Sequence, residues 1–504
     1  MTGGAMTSTS ARALLLAAGL SSMLLAPMSA AYAGDKEADK DAAKKPSCDD
    51  FICHWKNGDP LTYAGITLYG TYDIGYTSMT NGPVGGQTYQ INPGTPFFVT
   101  KFNAGSWNGL TSSPLEQTKV GLKVNEKLVG DLSLVGQAEI GFDPQRFSLI
   151  DGPGSLAAIN GDSSVPNGGY PFGNDSSRAG EIFNGPFFGG LSDKKLGKLT
   201  YGRQNAYLTD VIGAADPMGG SAAFGLLGWT GSFGGGGGDT EDKILDNSLK
   251  YTNKIDVAKD TALRVGGLYQ FATVQDGGYA WQGGVGLDYK GLSIDGVYAF
   301  KQNGESASYL GSVPNPANQV SVTVSDNTIW ALTAKYDGGK DNYKLFAGYQ
   351  NISQANPSNP PLAGDPIIGG YLINGNPTTT GFNTAKDTQM WWVGGSYKFL
   401  PSLTGTVAYY QANYGDFINN KGTGTCTDPK NTSGTNPGSN CAGQESGTSA
   451  LLDYQIDKHW DVYGGAMYSQ VSGGYSSGFQ GSSSTTAPTV TSNTAVTIGS
   501  RIKF

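Results

Sequence analysis

From Leu61 to Phe504, apolar and polar residues alternate with a period of two. In the segment 64–77, Ile66, Leu68, Gly70, Tyr72, Ile74 and Tyr76 share one face, and Thr67, Tyr69, Thr71 and Asp73 share the other. Successive side chains of a strand point to opposite sides, so this is the pattern of a two-faced strand. It recurs where Val120, Leu122 and Val124 alternate with Lys119, Gly121 and Lys123. It recurs again where Leu132, Leu134, Ala138, Ile140 and Phe142 alternate with Ser133, Gln137, Glu139 and Asp143. A soluble sandwich would alternate in the same way. The aromatic residues decide between the two: Tyr269 and Phe271, Trp281 and Tyr289, Tyr298 and Phe300, Trp330 and Tyr336, and Trp391, Tyr397 and Phe399 end the apolar rows. The opposite faces of the same strands carry Lys, Asp, Gln, Gly and Thr. An apolar exterior bounded by aromatic belts around a polar interior is the pattern of a transmembrane β-barrel.

The alternation predicts sixteen strands, at 64–77, 117–126, 131–142, 181–191, 197–204, 245–254, 261–273, 278–289, 291–301, 326–337, 341–351, 386–399, 402–414, 446–456, 460–470 and 493–504. The fold class is therefore all-β, a transmembrane antiparallel barrel. Sixteen is an even number, as bacterial barrels require, and is enough strands to enclose an aqueous channel. The connections alternate between tight turns such as Lys290-Gly291 and long loops at 78–116, 143–180, 205–244, 302–325, 352–385, 415–445 and 471–492. Short periplasmic turns and long external loops follow from that asymmetry. The weakest predicted strand is 181–191, where Pro186 would interrupt the ladder unless it stands at a strand start or bulge.

The amino-terminal region is different. Residues 1–33 hold one charge, Arg12, an apolar run from Ala13 to Leu25, and the ending Ala31-Tyr32-Ala33, which reads as a secretory signal peptide. The run is too short to span a bilayer as a helix, and no later segment reaches eighteen apolar residues. Residues 34–60 form a Lys/Asp/Ala-rich periplasmic extension ending near Cys48 and Cys53, and residues 61–504 form the barrel. The Cys48/Cys53 spacing matches no standard zinc pattern, and exported cysteine pairs usually oxidise, so a disulfide is expected there. A second disulfide is expected between Cys426 and Cys441, where closing the exposed loop would contribute on the order of 3 kcal/mol.

Composition narrows the function. Gly supplies 77 of 504 residues, charged residues are only 15%, and aromatics reach 11%, which fits a large ordered barrel better than a disordered chain. Two histidines, His54 and His459, leave little for catalysis or metal binding. The formal charge of -8, with no basic run, opposes nucleic acid as a partner. No cofactor, metal or catalytic residue is expected.

Five motifs, in order, resemble the Gram-negative general porins. GITLYGTYDIGY resembles their first strand, TKVGLKVNEKL with LSLVGQAEIGFD their second hairpin, LGKLTYGRQ their fifth strand, DNSLKY their sixth, and GSRIKF, ending in Phe504, their last. The resemblance spans Leu61 to Phe504. It implies an outer-membrane homotrimer of sixteen-stranded barrels surrounded by lipid and lipopolysaccharide, with Phe504 presented to the barrel assembly machinery. It also implies a third external loop, here 205–244, folded into the lumen.

In that family, acids on the third loop face a basic wall. The resemblance places Asp210 and Asp216 as loop acids, Lys119 and Lys123 on the wall, Arg203 at the loop root or in the cluster, and Glu139 beside a wall base. Parity puts Lys119 and Lys123 on the polar face independently. Departures from the pattern are Thr71 and Gly185, where bases are common, and Gly219-Gly220, where an acid is common, so only weak ion selectivity is expected. Phe224, Leu226, Leu227, Trp229 and Phe233 either pack the loop on the wall or form an apolar slide. The expected function is passive diffusion of small hydrophilic solutes and ions. The rival is a substrate-specific channel for sugars or small aromatic solutes, with Tyr69, Tyr410 and the loop aromatics as a ladder.

Overall fold

A computed structural model describes residues 51–83, 97–99, 103–145, 147–150, 182–229, 243–272, 278–308, 319–366, 372–373, 378–379, 385–415, 442–473 and 490–504. Residues 1–33, expected to be a signal peptide, and Cys48, Cys426, Cys441, Phe233 and Gly234–Gly238 lie outside these residues.

A helix at Phe51–Asn57 precedes a short strand, β1 (Leu61–Tyr63), which folds back on β2 (Ile66–Pro83). There follow β3 (Asn103–Ser112), β4 (Lys119–Val129), β5 (Leu132–Gly141), β6 (Phe187–Asp193), β7 (Gly197–Asn205), β8 (Ile244–Ala258), β9 (Thr261–Gln270) and β10 (Ala280–Tyr289). Next come β11 (Leu292–Ser308), β12 (Gln319–Asp337), β13 (Tyr343–Ala355), β14 (Leu372–Ile373), β15 (Thr378–Thr379) and β16 (Lys386–Leu400). The last four are β17 (Leu403–Tyr414), β18 (Gly443–Gln455), β19 (Trp460–Gly473) and β20 (Ser492–Lys503). Each main strand pairs antiparallel with the next, and β2 pairs with β20 from Thr71↔Lys503 to Met79↔Ala495. That last ladder closes a barrel of sixteen staves, leaving no main edge unpaired, as hydrocarbon demands.

The second stave departs from the sequence reading, which placed one loop over 78–116. β3 pairs with the upper part of β2 and β4 with its lower part, in the same direction, so together they make one stave. Residues 113–118 are inserted between them, opposite Tyr72 and Asp73. Asp73 explains the insertion: its Oδ2 accepts from Leu115 N and Glu116 N, both at 2.7 Å, and its Oδ1 accepts from the Tyr463 hydroxyl at 2.6 Å. The Gly/Asn/Ser-rich sequence of β3 lacks an apolar row, which concealed it.

The fourth stave is also shifted. It begins at Phe187, directly after Pro186, whose carbonyl accepts from Glu139 N at 3.0 Å. Proline can accept but not donate, so it stands at the strand start. The loops 302–325 and 352–385 are shorter than expected because β11, β12 and β13 extend the ladder, and β14 and β15 pair in parallel with the start of β12. At the opposite end the turns are short. Lys290 and Gly291 both take positive φ, 45° and 87°, the hand that suits a two-residue hairpin turn.

The alternation falls as predicted. Thr71 and Asp73 are buried inside while Tyr76 and Ile66 are exposed outside. Outward aromatics form touching pairs, Trp281 with Tyr298 and Trp391 with Tyr409, each 5.2 Å apart, as in an interfacial belt. The apolar core lies within the barrel, where the third long loop and Phe97–Val99 meet the wall.

Candidate functional site

The third loop enters the lumen after β7 and returns to the wall at β8. Its two feet are clamped together: Arg203 Nη1 donates to both Asp246 oxygens at 2.6 and 2.7 Å, and the rest of the guanidinium holds the Gly185 and Asn184 carbonyls. Arg203 thus braces the loop root and does not line the open cavity. The helix Tyr207–Ala214 follows. Its start has no side-chain cap of its own, and the Gln282 amide oxygen on β10 accepts from Leu208 N at 2.9 Å instead. The Tyr207 ring lies flat on the inner wall at Gly266 and Gly284; a Cβ at Gly284 would come within 2.7 Å of it. Asp210, in the first turn, accepts from Lys250 Nζ at 2.6 Å.

Beyond the helix the loop crosses to the other wall. Trp392 Nε1 donates to Ala215 O at 2.9 Å. The Tyr410 hydroxyl donates to Asp216 Oδ1 at 2.5 Å, and Gly220 N donates to Oδ2 at 2.6 Å. Asp216 is buried, and burial pushes its carboxyl above the usual carboxylate range despite these donors. Asp216 therefore does not stand as a pore-facing acid, because its carboxylate is spent fastening the loop. Phe224, Leu226 and Leu227 are fully buried, and Ser449 Oγ donates to Phe224 O at 2.7 Å. Of the aromatic ladder considered for specific solutes, Tyr410 and Phe224 lie buried beneath the loop, while Tyr69 lines the open cavity.

Among the described residues, an open cavity of about 2000 Å³ lies between the loop helix and the wall of β4 to β12, reaching the short-turn end. Lys119, Lys123, Lys198, Lys250 and Asp210 all line it. Lys119 Nζ lies 3.3 Å from Glu116 and 3.6 Å from Glu139, so Glu139 neutralises a wall base. Lys123 lies over the Tyr69 ring at 4.7 Å. Glu116, on the inserted segment, also takes Arg501 at 3.2 Å and Lys503 at 3.1 Å, and Arg501 reaches Asp461 and Asp453. On the far side Arg264 holds Asp288 and Asp295 at 3.0 and 2.9 Å. Lys123, Lys198 and Lys335 line the cavity and form no ion pair among the described residues. A polar, cation-lined space of this size can hydrate and pass solutes, and its barrel is closed to lipid.

The family profile of the Gram-negative porin matches residues 22–474. The chain belongs to the Gram-negative porins. It is a β-barrel channel of the Gram-negative outer membrane. Two solved structures share the porin fold. An anion-selective porin from Comamonas acidovorans is 16% identical, with 87% of this chain and 99% of that one covered and a TM-score of 0.51. OmpT, an outer membrane protein of Vibrio cholerae, is 14% identical, with 88% and 99% covered and a TM-score of 0.50. No curated protein matches the chain.

Of the residues expected at the porin constriction, the fold brings Lys119, Lys123 and Asp210 to one cavity, places Glu139 behind Lys119, and assigns Arg203 and Asp216 to loop anchoring. Sequence reasoning missed Lys250, Arg501, Lys503 and Glu116. Parity marks the first three, since Lys250 shares a face with Ser248, and Arg501 and Lys503 flank outward Ile502. Glu116 carries no such mark because it lies in an insertion. Cys53 is disulfide-bonded.

Proposed function

We propose that this porin is a general diffusion channel for small hydrophilic solutes and ions, with a modest preference for anions. The observation that carries the reading is the cavity between the loop helix and the lysine wall. Four of its acids, Asp210, Glu116, Asp288 and Asp295, are each held within 3.3 Å of a cation; Asp256 and Asp260 also line it at the short-turn end, while Lys123, Lys198 and Lys335 line it with no ion pair among the described residues. Fixed ammonium groups in a low-dielectric passage lower the barrier for anions and raise it for cations. The departures Thr71, Gly185 and Gly219-Gly220 keep the field small. Polar wall groups replace part of a solute's hydration, so the process needs no energy source, cofactor or catalytic step. A channel dedicated to one sugar or aromatic solute finds less support, since Tyr410 and Phe224 of its aromatic ladder lie under the loop and leave Tyr69 at the cavity.

Family membership supports a homotrimer embedded in outer-membrane lipid and lipopolysaccharide, with Phe504 recognised during assembly. It also supports a mature chain that begins after residue 33, with extension 34–60 leading into barrel 61–504. Disulfides Cys48–Cys53 and Cys426–Cys441 belong to the same reading. The test is the zero-current potential of purified protein in a planar bilayer under a potassium chloride gradient. Its sign should report chloride as the more permeant ion, and Lys123→Gln, Lys198→Gln, Lys335→Gln together should move it to zero or reverse it. A wild-type potential of cation-selective sign contradicts the reading.

A further inference from the structure

One sector of the inner wall breaks the rule of a polar lumen. Met467 on β19, Ala495 on β20, Met79 on β2 and Trp107 on β3 are successive cross-strand partners, so they form one row across four strands. All four are buried, whereas their neighbours Tyr468 and Val496 are exposed on the outside. Alternation therefore points this apolar row into the barrel, where a channel calls for polar groups. Apolar side chains in that position gain by being covered.

The cover is Phe97–Val99, from the connection between β2 and β3. All three residues are buried. Phe97 and Phe98 belong to one apolar cluster with the row and with Phe224 and Leu226 of the third loop, and Val99 packs with Val471 and Val490. The backbone is tied to the wall as well: Val99 N donates to Ser469 Oγ at 2.7 Å, and Asn493 Nδ2 donates to Phe97 O at 3.0 Å. Ser469 and Asn493 are buried cross-strand partners one step beyond the row, so two polar side chains of the inner wall are satisfied by protein where water would otherwise serve. Below the row the Thr77 hydroxyl lies 3.0 Å from that of Thr111 and 2.9 Å from that of Thr497, so these groups also satisfy one another. Among the described residues, nothing on β3 or β19 lines the open cavity, and on β20 only Lys503 does, at the short-turn end.

We propose that Phe97–Val99 is a second inward wedge of this porin, and that Phe97, Phe98 and Val99 help to set which solutes pass: with the third loop they close the long-loop half of the β19–β20–β2–β3 wall to water and confine solutes to the lysine-lined side of the lumen. The third loop alone then does not define the passage. The wedge fixes its second boundary, and the apolar row is the seat on which it rests.

The test uses a small charged thiol reagent, a sulfonated methanethiosulfonate, as the solute. Ala495→Cys reports on the wedge and Lys123→Cys on the open cavity, each in refolded full-length protein without reductant. There is no free cysteine among the described residues, and peptide mass spectrometry reads the new thiol by its position. Ala495→Cys should react at least about ten-fold more slowly than Lys123→Cys, because a covered thiol waits on local opening. Adding Phe97→Ala, Phe98→Ala and Val99→Ala together should bring the two rates close, with an unchanged Lys123→Cys rate showing that the barrel has folded. In the event that this triple change prevents folding, Ser469→Ala, which removes one backbone anchor and none of the apolar residues, carries the test and should speed labelling of Ala495→Cys. Labelling needs no current, so its outcome is separate from that of the anion-preferring reading. The proposal is overturned by Ala495→Cys reacting as fast as Lys123→Cys in the otherwise native chain, or by an Ala495→Cys rate that neither loosening of the wedge raises.

Discussion

At the scale of single residues, the loop depends on polar groups removed from water. Asp216 is the clearest, since burial outweighs its donors and raises its folded pKa. A raised value means that the folded state binds the proton more tightly than the unfolded chain does. The stabilisation from Asp216 is then complete below the ordinary carboxylate range and is lost as pH rises through the folded value. Thermal unfolding of the wild type should therefore weaken relative to Asp216→Asn as pH is raised from 4 to 8; parallel curves would contradict this. Arg203 acts differently. Removing it leaves Asp246 without its two short bonds at the loop root, and Arg203→Ala should cost about 3 kcal/mol of unfolding stability, measured by urea titration. A loss below 1 kcal/mol would show that the root is held by the backbone ladder alone. Lys119 and Lys123 were legible in the sequence because parity fixes which face a strand residue takes. Asp216 was not, because a loop residue has no parity and its direction is set by Tyr410, 194 positions along the chain.

At the scale of elements, most staves follow from alternation, since each must present an apolar row to lipid and a polar row to water. The exceptions have local causes. β3 has no apolar row, and Pro186 delays β6 by several residues. The broken second stave is the most informative, because the insertion at 113–118 brings Glu116 between Lys119, Arg501 and Lys503 and so places a carboxylate among the wall cations. Asp73 holds that insertion. Asp73→Ala would leave two backbone N–H groups and the Tyr463 hydroxyl without their acceptor, a loss of about 3 kcal/mol visible in urea unfolding. Asp73→Asn, which keeps one acceptor oxygen, should lose less. Equal losses in the two variants would mean that packing, and not the acceptor, holds the segment.

At the scale of the whole molecule, closure by the β2–β20 ladder and the aromatic belts make a lipid-compatible shell, and the third loop divides its interior. One part is an apolar core that pins the loop to β16–β19. The other is an open cavity lined by Lys119, Lys123, Lys198 and Lys250 together with Asp210. The glycine content has a physical use here: at Gly266 and Gly284 it lets Tyr207 lie flat on the wall and seats the loop helix. The sequence's net charge of -8 does not describe the lumen, where Asp210, Glu116, Asp288 and Asp295 are paired with cations and Lys123, Lys198 and Lys335 have no ion pair among the described residues. The most direct test of the account is the conductance of the purified protein in a planar bilayer, recorded with a salt gradient and with added sugars. Steady open steps, a chloride-favouring potential and no saturable block by sugars are the predicted result; a closed barrel, or a cation-favouring potential, would contradict the account.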